Sequence, residues 1–199
     1  MKDKIIDISL QQFLEHGIRD TSMQKLVLAL GISTKTMYGH FNNKEELLEE
    51  CLKKFYSESG KGITRFLEGS PNPVVSLSRV YAKAIDLDFG TNHLFYHDLN
   101  YYYPQLQDKV IKQYASASIQ TVIKLIEQGV DEGYFLSYLR APVVLETLTL
   151  LFTSVTRYPV YENFGKKREL VKHTIAIYLR GICTEKGLHE INQLKELFN

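Results

Sequence analysis

Apolar residues recur three and four positions apart from one end of this chain to the other, and glycine, proline and asparagine interrupt them at helix-length intervals. Such a 3.6-residue period suits amphipathic helices, whereas a half-buried strand would alternate apolar and polar residues. Ile6, Leu10, Phe13 and Leu14 form a first stripe that stops at Gly17. Thr21-Ser22 offers N-cap hydroxyls ahead of Met23, Leu26, Val27 and Leu30, and Gly31 closes that piece. Ser33 caps a short third segment carrying Met37, Tyr38 and Phe41. After Asn42-Asn43 the pattern resumes from Lys44 to about Ser59 through Leu47, Leu48, Leu52 and Phe55. Turn formers cluster at Gly60-Lys61-Gly62 and at Gly69-Ser70-Pro71-Asn72-Pro73, which predicts a domain boundary there. Beyond it the pattern predicts helices from Val74 to about Leu87, from Pro104 through Val110, Tyr114, Val122 and Ile126 to Gly129 and Gly133, from Pro142 to Tyr158, from Leu170 to Ile182, and in the tail from Leu188 to Phe198. The expectation is an all-α chain: a small N-terminal unit, residues 1–58, and a larger helical bundle, residues 59–199.

Composition narrows the function. With 199 residues, 44% of them hydrophobic and 24% charged, the chain can bury a core. No stretch approaches the roughly 18 apolar residues of a membrane span. The start reads as an amphipathic helix rather than a signal peptide. Cys51 and Cys183 make no disulfide framework, which fits a reducing cytoplasm. A formal net charge of +1 argues against nucleic acid until it is resolved along the chain. Residues 1–44 hold six basic against four acidic residues, a net of +2, and the remainder holds 18 against 19, a net of −1. The positive excess lies in the N-terminal unit.

An enzyme is the reading least supported. The chain has no GxSxG, phosphate-binding loop, dinucleotide fingerprint or CxxC pair, and no cofactor is expected. Cys51 with His40 or His97 can be written as a nucleophile and base. Cys51 nevertheless falls on the apolar side of its helix, beside Leu47, Leu48 and Leu52, where an inert buried thiol is the simpler reading.

The second and third pieces carry the function. A helix, a tight turn at Gly31-Ile32-Ser33 and a second short helix, together about residues 22–41, have the layout of a helix-turn-helix. Met23, Leu26, Val27, Leu30, Ile32, Met37 and Phe41 can pack inward on Leu10 and Phe13. Thr34, Lys35, Thr36, Tyr38, Gly39 and His40 then face outward with groups that donate to phosphates and base edges. Lys44 lies in the first turn of the next helix, where the positive helix end also attracts phosphate.

The stretch Ile5–Leu48 resembles the N-terminal DNA-binding domain of the TetR family of bacterial transcriptional regulators. The matching elements are Phe13-x3-Gly17, Thr21-Ser22-Met23, Gly31-Ile32-Ser33, Thr36-Met37-Tyr38-x-His40-Phe41 and Asn43-Lys44-Glu45-Glu46-Leu47. Ser9, Val27 and Leu30 stand where that family commonly has alanine. The resemblance implies a repressor released from a near-palindromic double-stranded operator by a small-molecule effector. It assigns phosphate contacts to Thr21, Ser22, Tyr38 and Lys44. Thr34, Lys35, Thr36 and Gly39 take base-reading or backbone-tracking positions, with His40 beside them. An all-α binding or interaction protein that does not touch DNA is the alternative reading.

The resemblance also implies a C-terminal domain that binds the effector and dimerises through its last two long helices. The apolar stripes there suggest a homodimer face of Val144, Leu148, Leu151, Phe152 and Val155 with Val171, Ile175, Tyr178, Leu179 and Ile182. Aromatic residues concentrate from Phe89 to Tyr114, and Phe89, His93, Tyr96, His97, Tyr101, Tyr102 and Tyr114 are the candidate effector lining. His93-x3-His97 followed by Asp98 can also bring metal ligands together, although surface histidines are the simpler reading, and no metal is expected.

Overall fold

A computed structural model describes residues 1–67, 70–157 and 164–194. These form eleven helices: α1 (Lys2–His16), α2 (Met23–Leu30), α3 (Thr34–His40), α4 (Lys44–Leu67), α5 (Pro73–Gly90), α6 (His93–Tyr102), α7 (Pro104–Tyr114), α8 (Ser116–Asp131), α9 (Ala141–Arg157), α10 (Lys167–Gly181) and α11 (Glu185–Ile191). The described residues hold no strand, only an isolated bridge between Phe135 and Cys183. The fold is all-α, as the apolar periodicity predicts.

The chain packs as two units, Met1–Lys61 with Gly90–Ser116 and Gly62–Phe89 with the chain from Ala117 onward. In the first unit, Ile5, Ile6, Leu10 and Phe13 place one apolar stripe of α1 against Leu26 of α2, Met37 of α3 and Leu47, Leu48 and Leu52 of α4. Gly17 ends α1 with a φ of 83° and donates its N–H to the Phe13 carbonyl. A Cβ at Gly17 would lie 2.8 Å from that of Leu94, so the chain needs glycine there for space as well as for backbone angle. Phe95, Leu99, Leu106 and Val110 of α6 and α7 enter the same core. Each fully buried phenylalanine or leucine is worth about 1.5–3 kcal/mol. The first packing unit therefore draws on sequence well beyond residue 58.

Several helix ends differ from the sequence expectation. Gly60 and Gly62 do not stop α4, because glycine costs a helix only about 1 kcal/mol and, unlike proline, keeps its N–H. The single helix predicted from Pro104 to about Val130 is two helices that meet at Ala115. Each half buries its stripe in a different core: Leu106 and Val110 in the first, Val122, Leu125 and Ile126 in the second. Gly129 is not a terminator but a buried position within α8, and a Cβ there would sit 2.3 Å from the Phe135 ring. Tyr158 and residues 195–199, at the ends of two predicted helices, lie outside the described residues.

The second unit is centred on Leu77 and Ile85 of α5, Ile126 of α8, Phe135, Leu148 of α9 and Ile175 of α10. Most residues expected from sequence at a homodimer face are directed into their own chain. Val144, Leu148, Val155, Val171, Ile175, Leu179 and Ile182 are buried in the core of their own chain, with Leu151, Phe152 and Tyr178 packed against it. Helix α9 is apolar on more than one side, and periodicity alone does not say which side meets its own bundle. The apolar side chains left exposed are Val143 and Leu150 on α9 and Ile177 on α10.

Two substitutions test this packing. Ser9 is fully buried and its hydroxyl has no hydrogen-bond partner. Ser9→Ala removes that stranded group at nearly constant volume and is expected to raise stability by about 1 kcal/mol, read from the urea midpoint. Gly129→Ala drives a methyl into the Phe135 ring and is expected to cost about 1–3 kcal/mol in the same measurement.

Candidate nucleic-acid interface

Two serine caps set the geometry of the reading unit. Ser22 precedes α2 in an extended conformation and its hydroxyl accepts the Lys25 N–H. Ser33 does the same for α3, accepting the Thr36 N–H at 3.0 Å. Between them Gly31 adopts the left-handed conformation, φ 65°, and its N–H returns to the Leu28 and Val27 carbonyls. A side chain with a Cβ is strained at that angle, so glycine is what permits so short a turn.

Helix α3 is anchored by Met37, which is fully buried. Its opposite face carries Thr34, Lys35, Tyr38 and Gly39, all exposed. Residues 34 and 38, and 35 and 39, are each four apart and so neighbours along one face. Tyr38 is 49% exposed, and nothing lies within 4 Å of a Cβ built on Gly39, so a partner can approach the backbone there. Thr36 and His40 are half-buried. The Thr36 hydroxyl lies 2.8 Å from that of Ser33 and so takes part in the cap.

Two residues assigned to phosphate are placed differently. Thr21 is 2% exposed, and its hydroxyl donates to the Gly17 carbonyl at 2.8 Å. Its side chain closes the end of α1 and does not reach outward. Lys44 is half-buried, and its ammonium donates to the Ile18 and Arg19 carbonyls. Burial pulls that ammonium below the usual lysine range, with Asp98 acting against the shift. A turn without helical partners leaves carbonyls unsatisfied, and both side chains supply the missing donors.

The aromatic segment of α6 serves this unit too. Asn92 caps α6 through its side chain, which accepts the Leu94 N–H, while its own N–H and amide donate to the carbonyls of Leu14 and Glu15 at the end of α1. Asp98, 5% exposed, accepts the Arg19 N–H at 2.7 Å. Arg19 in turn lies over the Tyr102 ring, 4.3 Å from its centroid, and donates to the Tyr102 hydroxyl at 2.6 Å. None of these three roles was assigned from sequence. Asn92, an N-cap residue type ahead of an apolar-periodic segment, carried a local signal; Asp98 and Arg19 carried none, since they lie 79 residues apart.

Of the seven residues proposed around an effector, His97, Tyr101 and Tyr102 stand together on α6. Phe89 packs on the core of the second unit, whereas Tyr96 and Tyr114 pack on that of the first. His97 stacks on the exposed Tyr101, and His93 is exposed. His97 Nδ1 lies 3.6 Å from Asp98, but among the described residues no three His, Cys, Asp or Glu side chains form a group that could hold a metal. The second unit has a cleft of about 390 Å³ whose lining includes Asn72, Ser76, Thr121, Lys124 and Gln128. Cys51 is fully buried and its thiol donates to the Ile6 carbonyl at 3.5 Å. Burial pushes that thiol far above its usual range, which removes the thiolate a nucleophile needs. No helix among the described residues is long and apolar enough to cross a membrane.

Residues 5–51 match the family model for bacterial regulatory proteins, tetR family. The HTH-type transcriptional repressor KstR2 of Mycobacterium tuberculosis is 21% identical over 137 residues, covering 67% of this chain and 68% of its own. Its solved structure superposes with a TM-score of 0.63, covering 92% of this chain and 95% of that one. The probable acrEF/envCD operon repressor of Escherichia coli is 20% identical over 97% of this chain and 93% of its own. The fatty acid degradation regulator FadR of Bacillus halodurans, 22% identical, superposes with a TM-score of 0.69 over 90% of this chain and 95% of that one. The capped helix-turn-helix and its matched segment mark residues 5–51 as a tetR-type DNA-binding segment of a transcriptional regulator, and these whole-length likenesses share its fold.

Proposed function

We propose that this protein is a cytoplasmic repressor that holds a near-palindromic operator as a homodimer and releases it when a small molecule binds the second unit. The observation that carries this reading is the exposed face of α3, where Lys35, Tyr38 and Gly39 stand clear while Met37 anchors the helix from behind. In a helix-turn-helix dimer the two reading helices enter successive major-groove faces roughly 34–36 Å apart. Ser22 and Tyr38 supply hydroxyls to phosphates, Lys35 supplies charge, and Thr34 and Gly39 allow the helix to lie close to the base edges. The relatives' names support repression, and the buried, unreactive Cys51 and the family of the relatives support a regulator without catalytic activity.

The effector belongs, in this reading, to the second unit, whose polar cleft falls within the size range of small-molecule sites. Of the aromatic residues of α6, Phe95 and Tyr96 pack in the first unit and Tyr102 holds Arg19 at the α1–α2 junction. An effector must prefer the arrangement that cannot hold DNA, or it shifts nothing. Helices α6 and α7 adjoin α5 and α8 of the second unit along the chain.

Dimerisation falls to the outward stripe of α9 and α10, Val143, Thr147, Leu150 and Ser154 with Thr174 and Ile177. It carries the exposed apolar side chains of two helices that pack on each other, and the remaining residues are small enough for close approach. Burying one stripe inside and one between copies accounts for a helix with so little polar surface.

Selection of binding sites from random duplexes by the purified protein tests the main reading. Enrichment of a palindromic sequence is expected, and no enrichment favours the all-α binding module without DNA. Tyr38→Ala is expected to weaken the selected site by about 1.5–3 kcal/mol, the worth of a hydrogen bond to a charged group, with unfolding temperature unchanged. Ile177→Glu is expected to convert the dimer to monomers in sedimentation at micromolar concentration. A dimer that persists moves the interface elsewhere.

A further inference from the structure

Arg19 lies in the exposed turn between α1 and α2, yet it is held at three points. Its N–H donates to Asp98, its carbonyl accepts from Lys44 at 3.5 Å, and its guanidinium lies over Tyr102 while donating to that hydroxyl. Turn residues ordinarily lack such support. We propose that Arg19 is a phosphate-contacting residue of the DNA interface, held in position by Tyr102 of α6. The inference rests on the DNA-binding reading and adds to it a contact from outside the helix-turn-helix.

Three observations carry it. The first is position: Arg19 stands three residues before Ser22, the cap of α2, so the two are at most about 10 Å apart along the chain. The amino end of that helix already favours phosphate. The second is the state of the neighbouring cation. Lys44 is drawn inward onto the Ile18 and Arg19 carbonyls and partly desolvated, which leaves the Arg19 guanidinium and the exposed Lys25 ammonium, 2.8 Å from the Asp20 carbonyl, as the outward charges of this corner. The third is geometry. A guanidinium has five N–H donors in a planar fork that suits phosphate oxygens, and the Tyr102 hydroxyl engages one nitrogen. Stacking on the ring restricts a flexible side chain before DNA arrives, which lowers the ordering cost of the contact. The acidic neighbours are Asp98, buried with one oxygen accepting the Arg19 N–H, and the exposed Asp20, whose charge water and salt screen.

The salt dependence of binding to a mixed-sequence DNA duplex tests the contact. Wild type, Arg19→Gln, Arg19→Lys and, as a matched charge change elsewhere, Lys112→Gln of α7 are compared across a salt series. Arg19→Gln is expected to lower the slope of log affinity against log salt by about 0.9 per protomer, because each protomer then neutralises one phosphate fewer. Arg19→Lys, which keeps the charge, retains the slope, and Lys112→Gln leaves it at the wild-type value. An Arg19→Gln slope equal to wild type, with wild type still binding, overturns the inference and spares the DNA-binding reading. Equal decreases in Arg19→Gln and Lys112→Gln overturn it too, since they report net charge rather than a specific phosphate. A wild-type protein that binds neither this duplex nor any selected one overturns both readings.

Discussion

Hydrogen bonds from α6 to the backbone between Leu14 and Arg19 hold the place where α1 gives way to α2. Asn92 donates to two carbonyls at the end of α1, and Asp98 accepts the Arg19 N–H within the turn. Lys44 completes the set from the start of α4. A turn of this kind has no ladder of its own, so its backbone groups would otherwise depend on water. Gly17 allows α6 to come close enough to act, since a Cβ there would meet Leu94. The direction in which α2 leaves, and hence the pose of α3, depends on that junction.

The same helix contributes to the interior. Phe95 and Leu99 are fully buried among residues of α1 and α4, and Phe95 meets Phe55 edge to face with ring centroids 5.8 Å apart. The unit that presents the reading helix is thus built from two separated stretches of sequence. A four-helix piece ending near residue 58 would lack Phe95, Leu99, Leu106 and Val110 in its core, and small cores have little stability to spare. In the second unit, α9 is apolar on more than one side because one stripe fills its own bundle while Val143 and Leu150 remain outside it, beside Ile177 of α10, the exposed large apolar side chain of that helix.

Sequence reasoning succeeded where the signal is local. The caps Ser22 and Ser33, the left-handed Gly31 and the anchor Met37 all lie within a few residues of what they stabilise, and the spacing of the reading helix follows from them. Its reach ended where packing, rather than spacing, decides what a side chain meets. Thr21 and Lys44 are polar residues at helix ends, which reads as phosphate contact, but both donate to carbonyls of the preceding turn. The aromatic cluster from Phe89 to Tyr114 reads as the wall of a cavity, but Phe95 and Tyr96 are packing residues and Tyr102 supports Arg19. Gly129 reads as a stop signal and is a site of close packing against Phe135.

The sequence by itself determined that the chain is helical, where the reading helix begins, and which of its side chains stand on one face. These follow from periodicity, capping and the left-handed preference of glycine, all set by neighbours within one or two turns. Only the tertiary structure decided that α6 and α7 complete the first unit, that Lys44 is turned inward, and which stripe of α9 and α10 remains uncovered. An apolar stripe or a charged side chain reports that it needs a partner, but the partner is chosen by long-range packing, which spacing along the chain does not encode.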